Sequence, residues 1–169
     1  LRQTESIARL QDQAISSIRY SLATLASLPG FRDGDVEHQE ETLQLVLANN
    51  PEYINVAVTD RHGVVTTSPR LESGTYLGDR FHVQTAIGGG GFAAGEYVFA
   101  RADGSPSFPF AHAIHNRSGD IIGCLTLAYR LNSYSELFDS WDLPTGVVLH
   151  VVDRRGRRIV HRPTSPAAR

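Results

Sequence analysis

Apolar side chains recur at steps of three and four from Ile7 through Leu10, Ala14, Ile18, Leu22 and Leu25 to Leu28, the spacing that gathers residues on one face of an α-helix. The pattern predicts a helix over residues 4–28, stopped at Pro29-Gly30. At about 25 residues it is twice the usual length. It therefore reads either as an amphipathic core helix or as a stalk that extends beyond the globule and pairs with a partner helix. A second helix is predicted from Asp35, whose carboxylate can cap free N–H groups, with Leu43, Val46 and Leu47 on its buried face and Asn49-Asn50-Pro51 as its stop.

From Ile54 the pattern changes. The runs INVAVTD and VVTTS, joined by RHG, are rich in Val, Thr and Ile and predict a β-hairpin. A short helix over 80–87, capped by Asp79, buries Val83, Ala86 and Ile87 and exits through the glycines 88–91. Those glycines follow a helix and lack a Gly-Lys-Ser/Thr, so they do not make a phosphate loop. Three strands are predicted next, over 95–102, 107–115 and 121–129, and their short connections make an antiparallel meander. Ser133 and Glu136 form a capping box for a helix running to Trp141, closed by Pro144. A hairpin of 146–153 and 158–161 completes the chain.

One feature repeats. Val58-Thr59-Asp60-Arg61-His62-Gly63, followed by Pro69, returns as Val151-Val152-Asp153-Arg154-Arg155-Gly156, followed by Pro163. Each copy ends a strand in Asp and reverses the chain at Gly, so each can open a subdomain. The first such subdomain is complete and the second breaks off after two strands.

Composition narrows the functional classes. With 169 residues, 41% hydrophobic and 20% charged, the chain can bury one proper core. A net charge of −2 and a pI near 6.4 give no basic field for phosphates, which argues against nucleic acid as partner. All sixteen basic positions are Arg and Met is absent, the usage expected of a piece of a longer chain from GC-rich coding. The single cysteine, Cys124, can make neither an internal disulfide nor a Cys-based zinc site. No apolar run reaches the roughly 18 to 20 residues that span a bilayer, so any membrane anchor is expected outside this segment.

The order of helix pair, hairpin, short helix and meander resembles the Cache family, the PAS-like sensor domains that stand outside the membrane in histidine kinases, chemoreceptors and diguanylate cyclases. VAVTDRHGVVTTSP resembles the family's opening hairpin, Gly78-Asp79-Arg80-Phe81-His82 its turn and aromatic helix start, and IHNRSGDIIGCLTLAY its closing strand pair. The resemblance implies an α+β, PAS-like Cache fold: a central antiparallel sheet with a long N-terminal stalk helix and helices on its faces. It implies a stalk over 1–28, a membrane-distal subdomain over 29–131, a connecting helix over 132–145 and the start of a membrane-proximal subdomain over 146–169. A single Cache domain with an appended hairpin is the competing layout. The implied role is periplasmic, as the sensing part of an inner-membrane receptor, homodimeric through the long helix.

Members of that family bind small carboxylates, amino acids or amines between the short helix and the sheet, which directs attention to particular residues. The planar fork of Arg80 matches a carboxylate, and an arginine in the first helical turn faces the positive helix end unless an anion meets it. Its other reading is a surface residue paired with Asp79. His82 and His112 can donate to an anion or stack on a planar ligand, Phe81 and Phe110 can form walls, and Arg101 and Thr126 lie on strands that border the site. Arg101 has Asp103 as its nearest alternative partner. The family's amino-acid binders carry an acid in the last strand, whereas the matching position here is Ala128, flanked by Thr126; that favours a small carboxylate or an uncharged ligand.

No catalytic chemistry and no cofactor is expected: G-x-S-x-G, H-E-x-x-H and paired-carboxylate motifs are absent. His112-x-x-His115 is expected to point to opposite faces of a strand and to lack a third ligand. A ligand-free interaction module of the same fold stays open beside the sensor. It predicts a cavity filled by Phe81, Phe99, Phe108 or Phe110. A cytoplasmic PAS domain holding haem or flavin suits the long leading helix less well.

Overall fold

Helix α1 (Arg2–Ser27) opens the chain in a computed structural model that describes residues 2–136 and 148–162. α1 ends at the expected break before Pro29-Gly30, which also begins a short further helix, α2 (Pro29–Arg32). Proline suits the first helical position because its missing N–H has no partner there in any case. Asp35 caps α3 (Val36–Ala48), its Oδ1 accepting from the His38 amide at 3.1 Å. Its stop is at Asn49.

The hairpin read from INVAVTD is β1 (Tyr53–Asp60) with β2 (Val65–Thr67). Helix α4 (Phe81–Gly89) starts one residue later than expected: Arg80, not Asp79, holds the N-cap position and makes no capping bond from its side chain. Gly90 closes α4 in the left-handed conformation at φ 70°. Of the strand expected over 95–102 only β4 (Val98–Phe99) forms, 101–103 make a turn, and an unexpected short strand, β3 (Phe92–Ala94), precedes it across residues 95–97. β5 (Pro106–His115) and β6 (Ile121–Arg130) are long and regular. Helix α5 begins at Leu131 (Leu131–Glu136), so Ser133 lies inside it rather than capping it, and the continuation expected to Trp141 lies outside the described residues.

These strands form one antiparallel sheet in the order β2-β1-β6-β5-β3, with β4 also paired to β5. Both faces are covered, and by side chains of different size. Towards α1, α2 and α3 the sheet presents Val56, Val58, Phe108, Phe110, Ile114, Leu125 and Leu127, which pack with Ile18, Leu22, Phe31 and Leu43. Towards α4 it presents Ala57, Ala93, Ala111 and Cys124, against Val83 and Ala86. Successive strand residues point to opposite faces, so this division follows the alternation along β5 and β6. The large face holds the molecule together, since burying one Phe or Leu contributes about 1.5–3 kcal/mol. The small face lets α4 settle close to the sheet.

The second hairpin, β7 (Leu149–Val152) with β8 (Arg158–Arg162), forms its own two-stranded sheet. Its turn repeats that of the first in detail. Asp60 Oδ1 accepts from the amides of His62 and Val64 at 2.8 and 2.9 Å, and Asp153 Oδ1 accepts from those of Arg155 and Arg157 at 2.9 and 2.8 Å. Gly63 and Gly156 both take positive φ, 79° and 75°, where a side chain would be strained. The α+β, PAS-like arrangement of an antiparallel sheet with a long N-terminal helix and helices on its faces is thus the architecture found.

Candidate ligand-binding site

Small side chains continue along the α4 face of the sheet past the point where α4 begins. Ala57 pairs with Thr126, which pairs with Ala111; Asn55 pairs with Ala128, which pairs with Pro109. Beyond the N-terminus of α4 no helix among the described residues covers this floor. A cavity of about 50 Å³ lies there, walled by Leu71, Leu77, Arg80 and His82 on one side and residues 98–102 on the other. One water occupies about 10–15 Å³ on this measure. The space therefore takes roughly three to five non-hydrogen atoms.

The polar groups around it are few. His82 is buried, and its Nε2 lies 3.1 Å from Thr126 Oγ1. Thr126 donates its one hydroxyl hydrogen to the Phe110 carbonyl at 3.2 Å, so Nε2 must carry the proton that reaches Thr126. Burial first, and then the charge of Arg80, push the imidazole down to about 3, leaving it neutral at ordinary pH. Asn55 and Ser68 bond each other, and Ser107 donates to the Val98 carbonyl. Gly95 permits the close approach of the 95–97 link: a Cβ there would lie 2.7 Å from the Pro109 ring and 3.0 Å from His82 Nδ1.

Charge collects at one wall. Arg101 donates to Asp79 Oδ2 at 2.7 Å, and the Arg80 Nε lies 3.9 Å from the same oxygen. Two guanidinium groups thus share one carboxylate, a net charge of about +1 by ordinary protonation states. Burial and the neighbouring Arg101, opposed by Asp79, hold the Arg80 guanidinium below its usual value. The guanidinium also makes a long bond to the Phe99 carbonyl, 3.4 Å. Asp103, expected as the Arg101 partner, instead faces Arg130 at 3.9 Å.

The sequence-predicted residues separate into two groups. Arg80, His82, Arg101 and Thr126 line the cavity together. Phe81 is not in this lining; it lies partly buried under the Arg154 guanidinium at 3.7 Å and borders a neighbouring cavity. Phe110 and His112 point to the opposite face of β5. Phe110 is stacked on Phe92 within the large core, and His112 lines a groove along α1, its Nδ1 2.8 Å from the Ala113 carbonyl. That groove also contains His115, because a bulge between Ile114 and His115 brings together two histidines expected on opposite faces. Among the described residues no group of three or more metal-ligating side chains forms. The reading from sequence placed Ala128 at the site but missed Asn55, Ala57, Leu71, Leu77, Ser107 and Pro109.

No family model and no curated protein matches the chain. Solved structures do. The ligand-binding domain of the Campylobacter jejuni chemoreceptor Tlp3, in complex with L-valine, superposes with a TM-score of 0.75 at 13% identity, over 99% of this chain and 73% of that one. This chain has the fold of a receptor sensor domain. The Pseudomonas aeruginosa amino-acid chemoreceptor PctC, in complex with GABA, gives 0.67 at 16% identity over 95% and 73% of the two chains. The sensor domain of the Vibrio cholerae histidine kinase DctB gives 0.62 at 11% over 82% and 58%. All three are sensing or ligand-binding domains rather than catalytic ones. No helix among the described residues is long and apolar enough to cross a membrane.

Proposed function

We propose that this chain is the extracytoplasmic sensing domain of a transmembrane signal-transduction receptor, a histidine kinase, diguanylate cyclase or chemoreceptor, and that it binds a small carboxylate. The observation that carries the ligand class is the cavity itself: an apolar space for about three to five atoms, bounded by two arginines that share one aspartate, with no carboxylate in its lining. L-Valine and GABA, bound by two of the structural neighbours, each carry an ammonium group that would need an acid. Here Ala128 and Thr126 occupy that part of the floor, so an acid without an amine, of the size of acetate or propionate, fits the chemistry best. Arg80 takes the carboxylate, the neutral His82 and Thr126 fix the floor, and Leu71, Leu77 and Ala128 enclose the alkyl end.

The ligand-free alternative predicts that phenylalanines fill this space. Phe108 and Phe110 instead belong to the other face, Phe81 lies outside the lining beneath Arg154, and Phe99, on the cavity wall, is 60% exposed. Signalling follows by population shift: a ligand that binds a closed form more tightly draws the domain towards it. Tyr20, 72% exposed on α1, offers an apolar contact to the same helix of a second copy, which supports a homodimer through the stalk. Residues 29–131 would then be the membrane-distal subdomain, and the hairpin of β7 and β8 the beginning of a proximal one.

A thermal-shift panel of acetate, propionate, small amino acids and amines tests the ligand class. At 100 times its dissociation constant a ligand stabilises by about 2.7 kcal/mol, or roughly 5–11 °C for a chain of this size. Shifts confined to carboxylates support the proposal, and shifts confined to amines or amino acids overturn it.

A further inference from the structure

The second hairpin is fastened to the rim of the cavity by more charge than its own turn requires. The Asp-Gly device that closes turn 60–63 uses one carboxylate and one glycine, and turn 153–157 has the same two. It carries three arginines where the first turn has Arg61 alone, and all three come within 4 Å of Glu96, Arg157 also pairing with Asp153 at 3.1 Å. The Glu96 side chain is almost fully buried in the link between β3 and β4. Its carboxylate meets Arg154 at 2.8 Å, Arg155 at 2.9 Å and Arg157 at 3.9 Å. Asp153 Oδ2 reaches back to accept from the Tyr97 amide at 3.3 Å, and Arg154 lies over the Phe81 ring.

The residues gripped are immediate chain neighbours of the cavity wall. Phe81 stands between Arg80 and His82, and Tyr97 precedes Val98. A second cavity of about 220 Å³ lies between wall and hairpin, bounded by Arg80, His82 and Val98 of the first cavity's walls, by Glu96 of the link and by Arg155 of the hairpin. Both walls of the binding space are therefore tied to a single turn.

Resting on the sensing role proposed above, we propose that turn 153–157 is the element that reads the cavity, with Glu96 as the positioning residue that couples the two. Docking of the hairpin holds Arg80, His82 and residues 98–101 in their binding arrangement, and an occupied cavity holds the hairpin docked. The coupling is reciprocal, as any linkage between two sites must be. Glu96 touches no ligand in this scheme and acts through the link it anchors.

The test uses Glu96→Gln and, from the hairpin side, the pair Arg154→Gln with Arg155→Gln, whose side chains are half exposed or more and whose loss the fold tolerates better. Hydrogen exchange is followed over 78–86, 95–102 and 148–162, first without any ligand and then with propionate as probe. Coupling predicts exchange about tenfold faster in all three segments of both variants, within the usual range for linked sites, and propionate protection of 153–157 in the unsubstituted chain that both variants lose. Faster exchange confined to 148–162, with the cavity segments unchanged, overturns the proposal. So does propionate that binds without protecting 153–157. Should propionate fail to bind the unsubstituted chain, the carboxylate reading fails, and the ligand-free comparison still decides the coupling.

Discussion

Acidification should destabilise this domain through His82. The ring is buried against Thr126 beside the Arg80 charge, and those two effects place its folded pKa at about 3. In the unfolded chain a histidine titrates near 6.5. Below that value the unfolded state binds a proton that the folded state refuses, so the stability that the neutral ring supplies is complete above pH 6.5 and falls continuously towards pH 3. Between pH 7 and pH 5 the loss is about 1.36 kcal/mol for each of the 1.5 units below 6.5, or about 2 kcal/mol. That corresponds to roughly 4–8 °C in Tm. Urea unfolding at pH 7, 6 and 5 measures it, with His82→Gln as the reference because its amide can still donate to Thr126 and has no proton to gain. The difference in stability between the two chains should change by about 2 kcal/mol across that interval, which cancels every other titrating group. Parallel pH profiles would refute the placement of His82.

Replacing Phe110 by Ala should destabilise by about 3–5 kcal/mol, as for other fully buried aromatic residues, and His112→Ala should leave carboxylate binding unchanged, because both side chains face away from the cavity; denaturation and calorimetry separate the two effects. Gly95→Ala should push the 95–97 link off Pro109 and His82, lowering stability by about 1–3 kcal/mol and weakening ligand binding together with it. Burial, opposed by the Thr59 bond, raises the Cys124 thiol to about 11. A disulfide reagent at pH 8 should accordingly label it only after denaturant unfolds the chain.

Where one local signal dominates, the sequence is readable. Asp35 announces its helix with a carboxylate and a following apolar face, and the two Asp-Gly turns announce their hairpins. Residues 107–115 were harder because both faces of the strand are buried, so hydrophobic and polar residues do not alternate there. Size does alternate: Phe108, Phe110, His112 and Ile114 are large, whereas Ser107, Pro109, Ala111 and Ala113 are small. That contrast marks the cavity face and would have moved Phe110 and His112 to the other side. Asp79 was a sound choice of cap by local chemistry, but its carboxylate engages Arg101, 22 positions away, and Arg80 takes the cap. Glu96 shows the same limit more sharply. A charged residue in a short link reads as solvent-facing, and only the fold brings it to arginines 58 and more positions later in the chain.

Calorimetric titration of propionate into the unsubstituted chain, Ala128→Leu and Arg80→Gln tests the central claim most directly. Leucine at 128 adds three carbons to a space of about 50 Å³ and should abolish binding, while Arg80→Gln should weaken it about tenfold or more, as expected when a charge-assisted contact worth about 1.5–3 kcal/mol is lost. One-to-one binding to the unsubstituted chain with both of those losses is the predicted result. Binding that survives Ala128→Leu unchanged, or no binding to the unsubstituted chain, would contradict the assignment of this cavity to a small carboxylate.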